Sequence, residues 1–97
     1  PAQAWATWGA AHGTVAAAGT PVALGAMVFT SGAVVMANPG NTAGKYVYIF
    51  PTTGGTKAAG ILLAPGAAAN IPCTNANQIT IDADTNGDGV IYWGANG

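Results

Sequence analysis

The residues best equipped for chemistry lie close together near the C-terminus. Asp84-Thr85-Asn86-Gly87-Asp88-Gly89-Val90-Ile91 reads acid, x, Asn, x, Asp, Gly, x, Ile, the first half of a calcium-binding loop. In such a loop alternate residues turn oxygen ligands inward and glycine makes the sharp bend. Asp84, Asn86 and Asp88 are the candidate ligands, with Asp82 a further carboxylate nearby. The pattern then fails: the twelfth position counted from Asp84 is Ala95, where a bidentate Glu belongs. Asp, Asn and Gly also suit a polar turn for conformational reasons alone, and that reading is the stronger. No metal and no cofactor are expected.

Other reactive constellations are sparse. A nucleophilic Cys73 would want a histidine, and the only one is His12, far away in a Gly/Ala-rich segment. A single cysteine also gives no disulfide framework, so Cys73 reads as a small apolar side chain. The chain has no Glu, and its three Asp cluster in one stretch, so no catalytic triad can be assembled and no enzyme is expected. Gly54-Gly55-Thr56-Lys57 lacks the spacing of a phosphate-binding loop and reads as a glycine-rich turn with a solvated lysine. Trp5, Trp8, Tyr92 and Trp93 could form a sugar-binding platform, although such aromatics in small β domains more often serve core or interface.

The element that must position the acidic stretch is a β-hairpin. Gln78–Ala83 and Val90–Trp93 are rich in Ile, Val, Thr, Tyr and Trp and flank Asn86-Gly87, a pair suited to a type I′ turn. That register opposes Thr85 to Asp88, Ala83 to Val90 and Ile81 to Tyr92. One face carries Ile79, Ile81, Ala83, Val90 and Tyr92 and reads as core. The other carries Thr80, Asp82, Asp84, Ile91 and Trp93, polar on one strand and apolar on the other. A wall facing only water would not look like this, so Ile91 and Trp93 are candidate interface residues.

Upstream, short apolar bursts alternate with turn signals. Strands are expected over Pro21–Phe29, Ala33–Met36, Lys45–Phe50, Ala58–Leu63 and near Ala69–Ile71, with KYVYIF the best central strand. Turns fall at Thr30-Ser31-Gly32, Asn38-Pro39-Gly40-Asn41, Pro51–Gly55 and Ala64-Pro65-Gly66. The pattern predicts an all-β domain: a small antiparallel β-sandwich or jelly-roll-like barrel of about seven or eight short strands. Residues 1–20, PAQAWATWGAAHGTVAAAGT, read as an extended N-terminal arm, and 21–97 as the β-sandwich domain. Trp5 and Trp8 are the arm's candidate interface anchors, with closure of the domain's own core as the alternative.

Composition narrows the function. Of 97 residues 51% are hydrophobic, much of that Ala, and only 5% are charged, against roughly 25% in ordinary soluble domains. Two Lys and no Arg exclude the dense basic footprint of a nucleic-acid binder and of an anionic-membrane surface. The charge-free stretch from Pro1 to Gly44 raises a transmembrane helix, but Pro21, Gly19, Gly25 and Gly32 interrupt it and no basic anchors flank it. The chain opens on Pro1, so a trimmed Met or a cleaved leader is expected upstream. A neutral Ala/Gly/Thr-rich surface keeps a free monomer dispersed poorly and suits a protein packed in an assembly, so a homo-oligomer is expected.

Several motifs, taken in order, carry a resemblance. Asn38-Pro39-Gly40-Asn41-Thr42 precedes Lys45-Tyr46-Val47-Tyr48. Gly60-Ile61-Leu62-Leu63-Ala64-Pro65-Gly66, Ile71-Pro72, Asn75-Ala76-Asn77-Gln78-Ile79 and a closing Gly-Asp-Gly-Val-Ile-Tyr-Trp run follow. This order, from Pro39 to Trp93, resembles small β-sandwich virion proteins of tailed bacteriophages. The resemblance implies a capsid decoration or fibre protein, usually oligomeric, with the major capsid protein or another virion protein as partner and the virion as location. It implies no catalysis and transfers no functional residue. The alternatives are a secreted extracellular filament or pilus subunit, assembled by strand donation from the N-terminal arm, and a carbohydrate- or calcium-binding surface module.

Overall fold

A computed structural model describes residues 8–95, with Trp8 through its backbone alone. The chain forms eight strands: β1 (Trp8–Thr14), β2 (Val22–Ala23), β3 (Ala33–Ala37), β4 (Val47–Pro51), β5 (Ile61–Leu63), β6 (Ala68–Ile71), β7 (Ile79–Ala83) and β8 (Gly89–Ala95). They build two four-stranded sheets, in the orders β1-β8-β3-β6 (sheet A) and β2-β7-β4-β5 (sheet B), and every strand pairing is antiparallel. The protein is a small antiparallel β-sandwich, as the strand and turn spacing predicts. Among the described residues no helix is long and apolar enough to cross a membrane.

Period-2 alternation accounts for the core. Ala33, Val35 and Ala37 of β3, Val47 and Ile49 of β4, Ile79, Ile81 and Ala83 of β7, and Val90 and Tyr92 of β8 all point inward and are buried. The five residues of the expected core face are among them. One side of the sandwich is sealed by the segment after β2. Leu24 is buried there, and a side chain at Gly13 of β1 would come within 2.5 Å of it, so glycine permits that close approach.

The expected hairpin does not form. β7 lies in sheet B between β2 and β4, and β8 in sheet A between β1 and β3. Ile81 pairs with Val22 and Ile49, and Tyr92 with Ala11 and Val35. The turn explains the difference. Asp88 N–H donates to the Thr85 carbonyl at 3.3 Å, Gly87 has φ +87°, and Asn86, like every other described non-glycine residue, avoids positive φ. That is the signature of a type II turn. A type I′ turn requires positive φ at both central residues, whereas type II splays the strands it joins. Here the strands separate completely and the turn carries the chain from one sheet to the other.

In their described part the first twenty residues are extended over 8–14, and that stretch joins the sandwich. Trp8–Thr14 pairs with β8 along its whole length, and Val15 is buried in the core, so residues 8–15 belong to the sandwich. Pro21–Phe29 forms only the two-residue β2 and an isolated bridge from Val28 to Asn75. In the Ala58–Leu63 run, Lys57–Ala59 makes a 3-10 turn and only Ile61–Leu63 is extended.

Ile81 is completely buried between two neighbouring strands, so Ile81→Ala leaves a cavity that the sheet cannot close. The expected loss is about 2–5 kcal/mol, measured as a drop in the urea midpoint with an unchanged slope.

Candidate functional site

The same alternation that fills the core sorts the surface. On sheet A the outward positions form two rows across the strands: Ala10, Trp93, Val34 and Asn70, then His12, Ile91, Met36 and Ala68. Trp93, Ile91, Val34 and Met36 occupy the two central strands and are partly exposed. None of these eight residues is Asp, Glu, Lys or Arg. A shallow groove of about 380 Å³ runs beside Trp93, with Ser31, Val34 and Asn70 among its walls.

All five charged residues lie elsewhere. Asp82 is on β7, Asp84 and Asp88 on the crossing to β8, Lys45 just before β4, and Lys57 on the 3-10 turn beside β5. Asp82 is the most buried of them. One of its oxygens accepts from Gly19 N–H at 3.0 Å and from Ala83 N–H at 2.7 Å, and the other lies 3.5 Å from Lys57 Nζ. Lys57 Nζ also sits 4.5 Å from the centre of the Tyr48 ring, a cation–π contact. The lysine expected in solvent is therefore held down on the outer face of sheet B.

Asp84, Asn86 and Asp88, the series read as a possible calcium loop, are each hydrogen-bonded to another segment. Asp84 accepts from the Tyr46 N–H at 3.1 Å and from the Tyr48 hydroxyl at 2.8 Å. Asn86 Oδ1 accepts from Ala18 N–H at 2.8 Å. Asp88 is buried and accepts from the N–H and the hydroxyl of Thr42 at 3.1–3.2 Å. Each side chain serves a different segment, so their oxygens fasten loops. Among the described residues no group of three or more His, Cys, Asp or Glu is placed to hold a metal ion.

The Tyr48 hydroxyl is the main cause that holds the Asp84 carboxyl below its ordinary pKa, with the Tyr46 N–H, Lys57 and Lys45 adding to it. The same hydrogen bond pushes the Tyr48 phenol up. Burial raises the Cys73 thiol, which lines a cleft between the edges of β5 and β6.

Of the four residues expected at an interface, Ile91 and Trp93 stand side by side on the charge-free face of sheet A. Trp8 opposes Ala95 in the backbone register of the same sheet, and Trp5 lies outside the described residues. Tyr92 is buried, with Trp93 on the opposite face of its strand, so the two do not form one aromatic platform. Val34, Met36 and His12 complete the face and were not singled out from sequence. Their only signal is their cross-strand register with Ile91 and Trp93. No protein-family model, curated protein or solved structure matches the chain.

The Asp84–Tyr48 bond has a defined pH window. Asp84 has a lowered folded pKa, so its contribution is full above the ordinary carboxylate value of about 4 and is lost as pH falls through the lowered value. Tyr48 has a raised folded pKa, so its contribution is full below about 10 and is lost as pH rises through the raised value. Thermal melts across this range are expected to decline at both ends, and Asp84→Asn to decline less steeply on the acid side than wild type.

Proposed function

We propose that this protein is a non-enzymatic structural subunit of a virion, a capsid decoration protein that lays the outer face of sheet A on the phage head. The observation that carries the reading is the segregation of charge. A sheet face of four strands presents Trp93, Ile91, Val34 and Met36 with no ionised side chain, while every Asp and Lys lies off that face. Water gains nothing from such a wall. An interface does, because its centre is depleted of charge and enriched in aromatic residues and Met.

The resemblance of the Pro39–Trp93 run to small phage virion proteins supplies the class of partner: the major capsid protein or another virion protein. The low overall charge agrees with life in a crowded shell, where neighbours cover what the monomer exposes. The competing filament reading asks the N-terminal arm to complete a neighbour's sheet. It meets an obstacle in β1, which already completes the chain's own sheet beside β8.

Immunogold electron microscopy of the culture that makes the protein tests the location. Regular label on phage heads is expected; label on cell-attached filaments with bare heads would overturn the reading. Trp93→Ala tests the face itself. Removal of an aromatic anchor from the centre of an interface is expected to weaken binding to purified heads roughly 10- to 100-fold in a cosedimentation titration. Unchanged binding would mean that another surface makes the contact.

A further inference from the structure

β5 ends sheet B and β6 ends sheet A on the same side of the sandwich, and the side between them is open. A cleft of about 700 Å³ lies there, with Ile49, Ile61, Ile71 and Ile79 among its walls and no charged residue in its lining. The opposite side is sealed by Leu24 beneath β1, so the openness belongs to this side in particular. Among the described residues β5 has a strand partner, β4, along one edge only. Its first two residues are large, apolar and exposed: Ile61 at 46% and Leu62 at 52%.

Proteins that stay apart blunt such an edge by keeping the strand short or with Lys, Pro or an inward charge. β5 is short, three residues, but carries no Lys, Pro or inward charge. The neighbouring lysine, Lys57, is turned onto sheet B, against Asp82 and Tyr48. The free donors and acceptors of an extended backbone call for another extended strand. The side chains around them call for one that is apolar and uncharged. β5 itself meets both requirements, and a two-fold axis brings it to its own copy without opposing any charge.

We infer that β5 is a self-association edge, pairing antiparallel with β5 of a second copy about a two-fold axis at Leu62. Leu62 then faces its own counterpart, Ile61 faces the partner's Leu63, and the two B sheets join into one continuous sheet. The Ile61 side chains of both copies cover the mouths of the two clefts. This pairing needs no capsid and leaves the outer face of sheet A free, so it stands apart from the proposed decoration role.

Sedimentation equilibrium of the purified chain, without capsids, tests it. Wild type is expected to be dimeric. Leu62→Lys and Leu62→Asp, each alone, place like charges against each other at the axis and are expected to weaken the dimer roughly 100-fold or more. Mixed in equal amounts the two variants oppose unlike charges, and the dimer is expected to return. Leu62 is half exposed, so both variants are expected to keep the wild-type circular dichroism spectrum. Ile61→Thr, which removes apolar surface and adds no charge, provides a second reading of the same edge. A monomeric wild type, charged variants as dimeric as wild type, or a mixture that stays monomeric would each overturn the pairing.

Discussion

The crossing from β7 to β8 is the constraint on which the rest of the structure depends. Five residues, Asp84 to Asp88, carry the chain from one sheet to the other, across a gap that in sandwiches is about 10 Å. Backbone bonds tie the crossing to both walls: Asp84 N–H to the Tyr46 carbonyl, Gly87 N–H to the Val15 carbonyl, and Val15 N–H to the Asp88 carbonyl. Side chains tie it to the loops. Asp84 holds the start of β4, Asn86 the β1–β2 connection, and Asp88 the β3–β4 connection. With Asp82, which holds Gly19 and Lys57, every acidic residue of the chain is a fastener at or beside this crossing. A domain poor in large apolar side chains gains order here from charge-assisted hydrogen bonds to N–H groups, which are stronger than neutral ones.

Concentrating charge at one place has a consequence elsewhere. With both lysines and all three aspartates on sheet B, its loops or the crossing to sheet A, the outer face of sheet A is left with Ala, Val, Met, Ile, Trp, His and Asn. The two faces of the sandwich therefore differ in kind. On the outer face of sheet B Lys57 folds over Tyr48 and pairs with Asp82, while Leu62 at its edge stays exposed. Among the described residues the outer face of sheet A carries no ion pair, and its central residues Trp93, Ile91, Val34 and Met36 are partly exposed.

Much of this was legible where alternation is strong. Ile79, Ile81, Ala83, Val90 and Tyr92 declare a core face by spacing alone, and all five are buried. The sheet to which each strand belongs was not legible, because Asn-Gly serves type I′ and type II turns alike. The choice between them follows from contacts with Val15, Ala18 and Thr42, all distant in sequence. The mismatch of polar and apolar residues opposite the core face pointed to Ile91 and Trp93. Its cause is now plain: Thr80 and Asp82 belong to the outer face of a different sheet. Val34 and Met36 gave no signal, since β3 is apolar on both faces and offers no contrast. The burial of Asp82 was equally silent, because Gly19 and Lys57 approach it only after folding.

The account stands or falls on whether the outer face of sheet A is covered in the native assembly. Hydroxyl-radical footprinting of that assembly, purified from the culture and compared with the free protein, tests this residue by residue. Trp93 and Met36 are expected to be strongly protected in the assembly, while Tyr46, exposed beside sheet B, oxidises as in the free chain. Equal oxidation of Trp93 and Met36 in both samples would contradict the account.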